Sequence, residues 1–189
     1  ANVRGLNIEK AGITLNQSGI IPVDRFYKTV VDNIYAAGDV VGPPSLASVS
    51  MEQGRRASCA ALGLDMGDMT NTIPGGIYAI PELSTVGISE SQAIEDYGNP
   101  IIGVAKFDEI ARGQISGVQD GLLRLIADAQ GKKLLGVQII GEGATELIHI
   151  GQMGLLSGMD IDAFVENIFN FPTMAEAYRV ATLHIVGQR

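Results

Sequence analysis

The chain has 189 residues, 46% of them apolar, enough for one large domain or parts of two and too much core-forming material for a disordered segment. Acids outnumber bases 21 to 13 for a net charge of −8, with no basic stripe, so neither nucleic acid nor an anionic membrane suits it as a partner. Cys59 is the only cysteine, which excludes an internal disulfide and a cysteine-based metal cluster; no apolar run reaches the length of a membrane span, and the composition fits a soluble protein of the reducing cytoplasm.

Along the chain, 12–15 (GITL) and 19–24 (GIIPVD) predict short strands around the polar turn Asn16-Gln17-Ser18. Residues 33–37 predict a buried strand. Residues 46–62 predict a helix with Ser45 as its N-cap, and Ala47, Ser48, Ala57 and Ala60 allow it to pack closely. The stretch 63–76 is rich in Gly, Thr and Asn without periodicity, and predicts a domain boundary near residue 70.

The second half has a different texture. Residues 76–89 predict two strand pieces broken by Pro81. Ser89 and Gln92 form a capping-box pattern for a helix to about Tyr97. A strand follows at 101–107, then a hairpin at 121–141 around a Gln-Gly turn. Residues 144–158 predict a helix that stops at Gly158. A short helix is predicted from Asp160 to about Ile168. Thr173 and Glu176 form a second capping box, opening a helix with the stripe Met174, Ala177, Tyr178, Ala181 and Ile185. Strands in a run, flanked by helices, make this unit α+β with a mostly antiparallel sheet.

Four places attract attention for chemistry. Gly38-Asp39 ends an apolar run just before a helix. One reading is an ordinary turn. The other is a cofactor lip: a carboxylate accepts hydrogen bonds from a pair of hydroxyls, and the free N–H groups of the helix start favour an electron-rich partner. The run 141–146 (GEGATE) opens like a dinucleotide fingerprint but lacks the third glycine, and reads as a strand-to-helix turn. His149 and His184 lie on separate helices with no second ligand at metal spacing; neither predicts a metal site, and His149 fits a partly buried helix face. In 167–181 (NIFNFPTMAEAYRVA), Glu176 can cap the helix or pair with Arg179. Pro172 follows an aromatic residue, a setting that admits a cis bond, and Asn170 sits between Phe169 and Phe171.

Three stretches together resemble the flavoprotein pyridine nucleotide-disulfide oxidoreductase family. Residues 29–40 (TVVDNIYAAGDV) resemble its second FAD-binding motif, and 45–57 (SLASVSMEQGRRA) the helix after it. Residues 80–93 (IPELSTVGISESQA) and 171–181 (FPTMAEAYRVA) are similar to its C-terminal dimerisation domain. The resemblance implies an FAD-domain segment over 1–70 and a dimerisation domain over 71–189. It implies that Gly38 and Asp39 bind FAD, Asp39 through a ribityl hydroxyl. It implies that N–H groups around Leu46, Ala47 and Ser48 face the pyrimidine edge of the flavin. It also implies an obligate homodimer with a shared active site, in which Phe171, Pro172, Thr173 and Glu176 reach the partner's flavin.

Disulfide-reducing members carry a His before the Pro-Thr pair, and here that position is Phe171. A phenyl ring has no titratable proton, so thiol chemistry lacks its base, whereas hydride transfer between nicotinamide and flavin needs none. The nearest branch is therefore the FAD-dependent transhydrogenases, which move hydride between NADPH and NAD. A dihydrolipoamide dehydrogenase-like disulfide reductase and a stand-alone, non-catalytic dimerisation module are the alternatives. The family's Gly-rich FAD motif and nicotinamide domain do not occur in these residues, and the chain starts at Ala1 rather than Met. It reads as a fragment that by itself neither holds FAD tightly nor turns over.

Overall fold

A computed structural model describes residues 1–189 as two compact units, Ala1–Met69 and Thr70–Arg189. The first unit contains one long helix, α1 (Ala47–Ala61), and a small core of Val3, Ile13 and Ile21 with Ile34 and Val40 packed around it. The predicted strands at 12–15, 19–24 and 33–37 do not form. A strand exists only when a neighbour completes its hydrogen-bond ladder, and here pairing is limited to the single bridge Lys28–Tyr35. The apolar residues in these segments still point inward; they do so from turns, such as the one closed by Asn16 Oδ1 accepting from the Ser18 and Ile20 N–H groups.

The second unit is the expected α+β domain. Five strands, β1 (Gly75–Ile77), β2 (Leu83–Gly87), β3 (Ile101–Lys106), β4 (Leu122–Ala127) and β5 (Leu134–Ile140), form one antiparallel sheet in the order β1-β2-β5-β4-β3. Strands β1 and β2 flank Pro81 as predicted. The β4–β5 hairpin turns through a loop organised by Asp128. Its carboxylate accepts from the Lys132 and Lys133 N–H groups, and its carbonyl from that of Gly131.

The remaining helices are α2 (Glu90–Tyr97), α3 (Ala111–Ser116), α4 (Ala144–Ser157), α5 (Ala163–Glu166) and α6 (Glu176–Val186). Helix α5 is shorter than the predicted 160–168 segment. Side-chain alternation explains how they cover the sheet. Leu123 and Leu125 of β4, with Val137 and Ile139 of β5, face a core shared with α4 and α6. Ile126 and Leu135 face the other way, with Ala93 of α2. Arg124 shares that second face and forms an ion pair with Glu90 of α2. Ser89 caps α2 as predicted, its hydroxyl accepting from the Gln92 N–H at 3.2 Å. Gln92 donates forward to Asp96, so only half of the capping box is made.

Four residues of the predicted α6 stripe, Ala177, Tyr178, Ala181 and Ile185, are fully inaccessible, whereas Met174 lies before the helix and is half-buried. The helix reaches the sheet because Gly103 of β3 has no side chain. A Cβ there would stand 2.0 Å from the Ala181 carbonyl oxygen. The helix also closes the free edge of β3. His184 Nδ1 accepts from the Val104 N–H at 3.2 Å, and the Gln188 amide donates to the Ile102 carbonyl at 2.9 Å. Farther along the same edge, the Glu109 carboxylate accepts from the Lys106 N–H. An open edge invites pairing with another chain, and these side chains occupy its groups. His149 is exposed rather than half-buried, its ring paired with Gln152 at 2.8 Å.

The Gly103 contact is between two backbones, so neither side can give way by turning a side chain. Gly103→Ala is expected to destabilise the second unit by on the order of 3 kcal/mol, read as a lower midpoint in urea unfolding.

Candidate functional site

In the first unit the chain rises through Ile34 and Tyr35 to Gly38, turns over Asp39–Val41 in a single 3₁₀ turn, and enters α1. Gly38 has φ 86°, a left-handed value that suits glycine, and its N–H donates to Gln53 Oε1 at 2.7 Å. Gln53 is buried on α1, so the turn that carries Asp39 is tied to the helix it precedes. The Ile21 N–H donates to the Val40 carbonyl at 2.8 Å, fixing the turn from the other side. Asp39 itself is exposed.

The N-cap of α1 is Leu46, one residue later than the predicted Ser45. Leu46 is extended (φ −126°, ψ 137°) and has no side-chain oxygen, so no side chain caps the helix. The first N–H groups of a helix have no acceptor within it. Those of Ala47 and Ser48 therefore stand at the positive end of a 15-residue helix, both on exposed residues. The arrangement offers carboxylate oxygens that accept hydroxyl protons and backbone donors that favour an electron-rich edge.

The α4 start contrasts with it. The 141–146 segment is the strand-to-helix turn between β5 and α4, as predicted. Its helix end is already occupied: the Glu82 carboxylate accepts from the Thr145 N–H at 3.2 Å and from the Thr145 hydroxyl at 2.8 Å. These hydrogen bonds hold the Glu82 carboxyl below the usual carboxylate range. A phosphate would meet a negative charge there, which removes the dinucleotide reading of this turn.

The segment before α6 is an exposed apolar loop. Ile168 and Phe171 are 92% and 73% exposed, and the Phe171–Pro172 bond is cis. Thr173 does not cap α6. Its hydroxyl donates to the Asn170 carbonyl at 2.7 Å, and the N-cap position falls to Ala175. Glu176, half-buried in the first turn, accepts from the Thr173 N–H at 3.4 Å. Arg179 does not pair with Glu176, because it reaches the carbonyls of Val165 and Asn167 at 2.8 and 3.3 Å. Both ends of the loop are thus held by side chains of one helical turn.

The dimerisation-domain model of the pyridine nucleotide-disulphide oxidoreductases matches residues 73–182, and a second model of the same oxidoreductases matches residues 1–54. The chain belongs to this family. Among curated members it is 43% identical over 183 residues to a soluble pyridine nucleotide transhydrogenase of Mycobacterium tuberculosis, and 44% identical over 187 residues to one of Photobacterium profundum. Each alignment takes in 97% of this chain but only 39% and 40% of the relative, so the chain spans about two fifths of their length.

Solved members of the family have the same fold. The HOCl-induced flavoprotein disulfide reductase RclA of Escherichia coli superposes with TM-score 0.86 at 27% identity, covering 94% of this chain and 41% of its own. LpdA of Mycobacterium tuberculosis gives 0.83 at 26%, covering 96% and 40%.

Two buried residues of α1 went unnoticed in the sequence. Gln53 holds Gly38. Arg56 grips the carbonyls of Met66 and Gly67 at 3.0 and 2.7 Å. The available signal was a polar pair at positions 53 and 56 on the face that also carries Val49 and Ala57.

Gln53→Leu removes the acceptor of the Gly38 N–H and is expected to cost about 1–2 kcal/mol in chemical unfolding of the first unit. Glu82→Gln is expected to lower the thermal midpoint of the second unit at neutral pH. The folded pKa of Glu82 is depressed, so its contribution is present above the ordinary carboxylate range and disappears as pH falls through the folded value. The difference between the two proteins should therefore close in acid.

Proposed function

We propose that the chain is part of an FAD-dependent oxidoreductase that moves hydride between NADPH and NAD through flavin. In this reading residues 1–70 supply part of the FAD site and 71–189 the dimerisation domain. The observation that carries it is the Gly38-Asp39 turn, held by Gln53 beside the uncapped start of α1. The Leu46 N–H already donates to the Pro44 carbonyl at 3.1 Å, and nothing in the chain itself uses the Asp39 carboxylate or the N–H groups of Ala47 and Ser48. Both are the partners a polyol chain and an electron-rich ring edge require.

When bound, FAD supplies the hydride-accepting and hydride-donating chemistry. The residues of this chain bind and orient it. Asp39 accepts from a ribityl hydroxyl. The free N–H groups of Ala47 and Ser48, with Leu46 as the N-cap before them, face the pyrimidine edge, where the helix dipole favours the negative charge that gathers on reduction. Phe171 and Glu176 reach the partner subunit's flavin, so a homodimer with a shared site is the working form. Phe171 contributes an apolar ring that excludes water and has no proton to exchange. A cytoplasmic location accords with this chemistry, and no helix is long and apolar enough to cross a membrane.

The second reading is a disulfide reductase of the dihydrolipoamide dehydrogenase type. The similarity to RclA, a flavoprotein disulfide reductase, favours it. Phe171 opposes it, because a base at that position serves the thiol step.

Two experiments on the full-length enzyme test the proposal. Asp39→Ala should lower flavin retained through purification, read by visible absorbance against protein. Phe171→His should leave transhydrogenation largely intact; its loss in a correctly folded, flavin-loaded protein would contradict the role given to this loop.

A further inference from the structure

Tyr178 is the one large polar side chain buried in the α6 interface, and its hydroxyl does more than fill space. It donates to the Leu147 carbonyl at 2.7 Å and accepts from the Gly151 N–H at 3.1 Å. Residues 147 and 151 are one turn apart on α4. These are the two groups that an α-helix joins directly, and here the phenol bonds to both of them. The approach depends on Gly151: a Cβ there would lie 3.0 Å from the Tyr178 oxygen and 2.6 Å from Val137 Cγ2. The ring packs on Phe164 of α5, with centroids 5.1 Å apart. One side chain therefore joins α4, α5 and α6 above β5.

The same turn of α6 carries the loop. Glu176, two residues before Tyr178, accepts from the Thr173 N–H, and Arg179, one residue after it, grips the carbonyls of Val165 and Asn167. Whatever fixes the height of this turn along α4 also fixes Phe171. We propose that Tyr178 is the positioning residue of the Phe171–Glu176 loop, its hydroxyl registering the first turn of α6 against α4. This rests on the active-site role given to that loop above. The hydroxyl's contribution is to registration rather than to the existence of the fold. On its removal Leu147 and Gly151 can bond to each other, so no buried group is left without a partner.

The chain contains no Trp, so Phe171→Trp places a single fluorescent reporter on the loop. In that background Tyr178→Phe is expected to raise the amplitude of nanosecond motion of the reporter by about twofold in anisotropy decay. Far-UV circular dichroism should stay unchanged. Phe164→Leu, which alters the ring's packing but leaves the hydroxyl, should not move the reporter. An unchanged reporter in Tyr178→Phe overturns the proposal. So does failure of that variant to fold, which would make the hydroxyl a requirement of the domain rather than of the loop. Neither readout involves flavin, so a wrong assignment of the enzyme activity leaves this test intact. In the full-length enzyme the same variant should lower kcat with KM for either nucleotide unchanged. A rise in KM alone would instead show a substrate-binding effect and contradict positioning.

Discussion

The β4–β5 hairpin is the constraint on which the second unit depends. Its register sets Leu125 opposite Val137 and Leu123 opposite Ile139, and both faces of the pair are covered. A slip of one residue would send Leu123 and Leu125 to the α2 face and bring Arg124, with its Glu90 partner, into the core. With the register fixed, Gly103 lets α6 touch β3, and Gly151 lets Tyr178 reach into α4. The loop that ends in Glu176 follows from that packing, since Phe169 and Met174 rest on the same core.

Two helix ends show how similar local sequences reach different uses. Both α1 and α4 begin after glycine-containing turns, and neither carries a capping side chain at its N-cap position. At α4 the Glu82 carboxylate from the preceding β1–β2 segment fills the gap. At α1 no side chain fills the gap, and Asp39 stands exposed on the preceding turn that Gln53 holds in place. A filled helix end stabilises the fold, while an unfilled one beside a fixed carboxylate is available for a ligand. That contrast, more than the presence of a Gly-Asp pair, supports a cofactor role for the first unit.

Much of the second unit was legible because its signals are local. Apolar runs bounded by turn residues marked the strands, the 3.6-residue stripe marked α6, and Gly158 marked the end of α4. The first unit was harder. Its apolar segments at 12–15, 19–24 and 33–37 have strand-like composition, but a strand is a property of a pair and no partner strand joins them. The capping errors share another cause. Ser45 and Thr173 are good caps by type, yet Thr173 Oγ1 finds the Asn170 carbonyl, and the chain turns into α1 one residue after Ser45. Gln53, Arg56 and Glu82 act across 15, 10 and 63 positions of sequence, a range at which spacing carries no signal. The roles proposed for Asp39, Phe171 and Glu176 rest on family resemblance, and the geometry is compatible with them: an exposed acceptor, an exposed ring and a half-buried carboxylate.

The central claim is that each site is built from the α1 entrance of one subunit and the Phe171–Glu176 loop of the other. Subunit complementation in the full-length enzyme tests it most directly. One chain carries Asp39→Ala, and the other carries Phe171→Asp, which sets a fixed negative charge beside a flavin that itself gathers negative charge on reduction. Each homodimer is expected to be inactive. Refolded together, they form mixed dimers in which one of the two sites has both native halves, so activity should return to about a quarter of the native level. Activity no higher than the sum of the two parents, with mixed dimers present, would contradict the shared site.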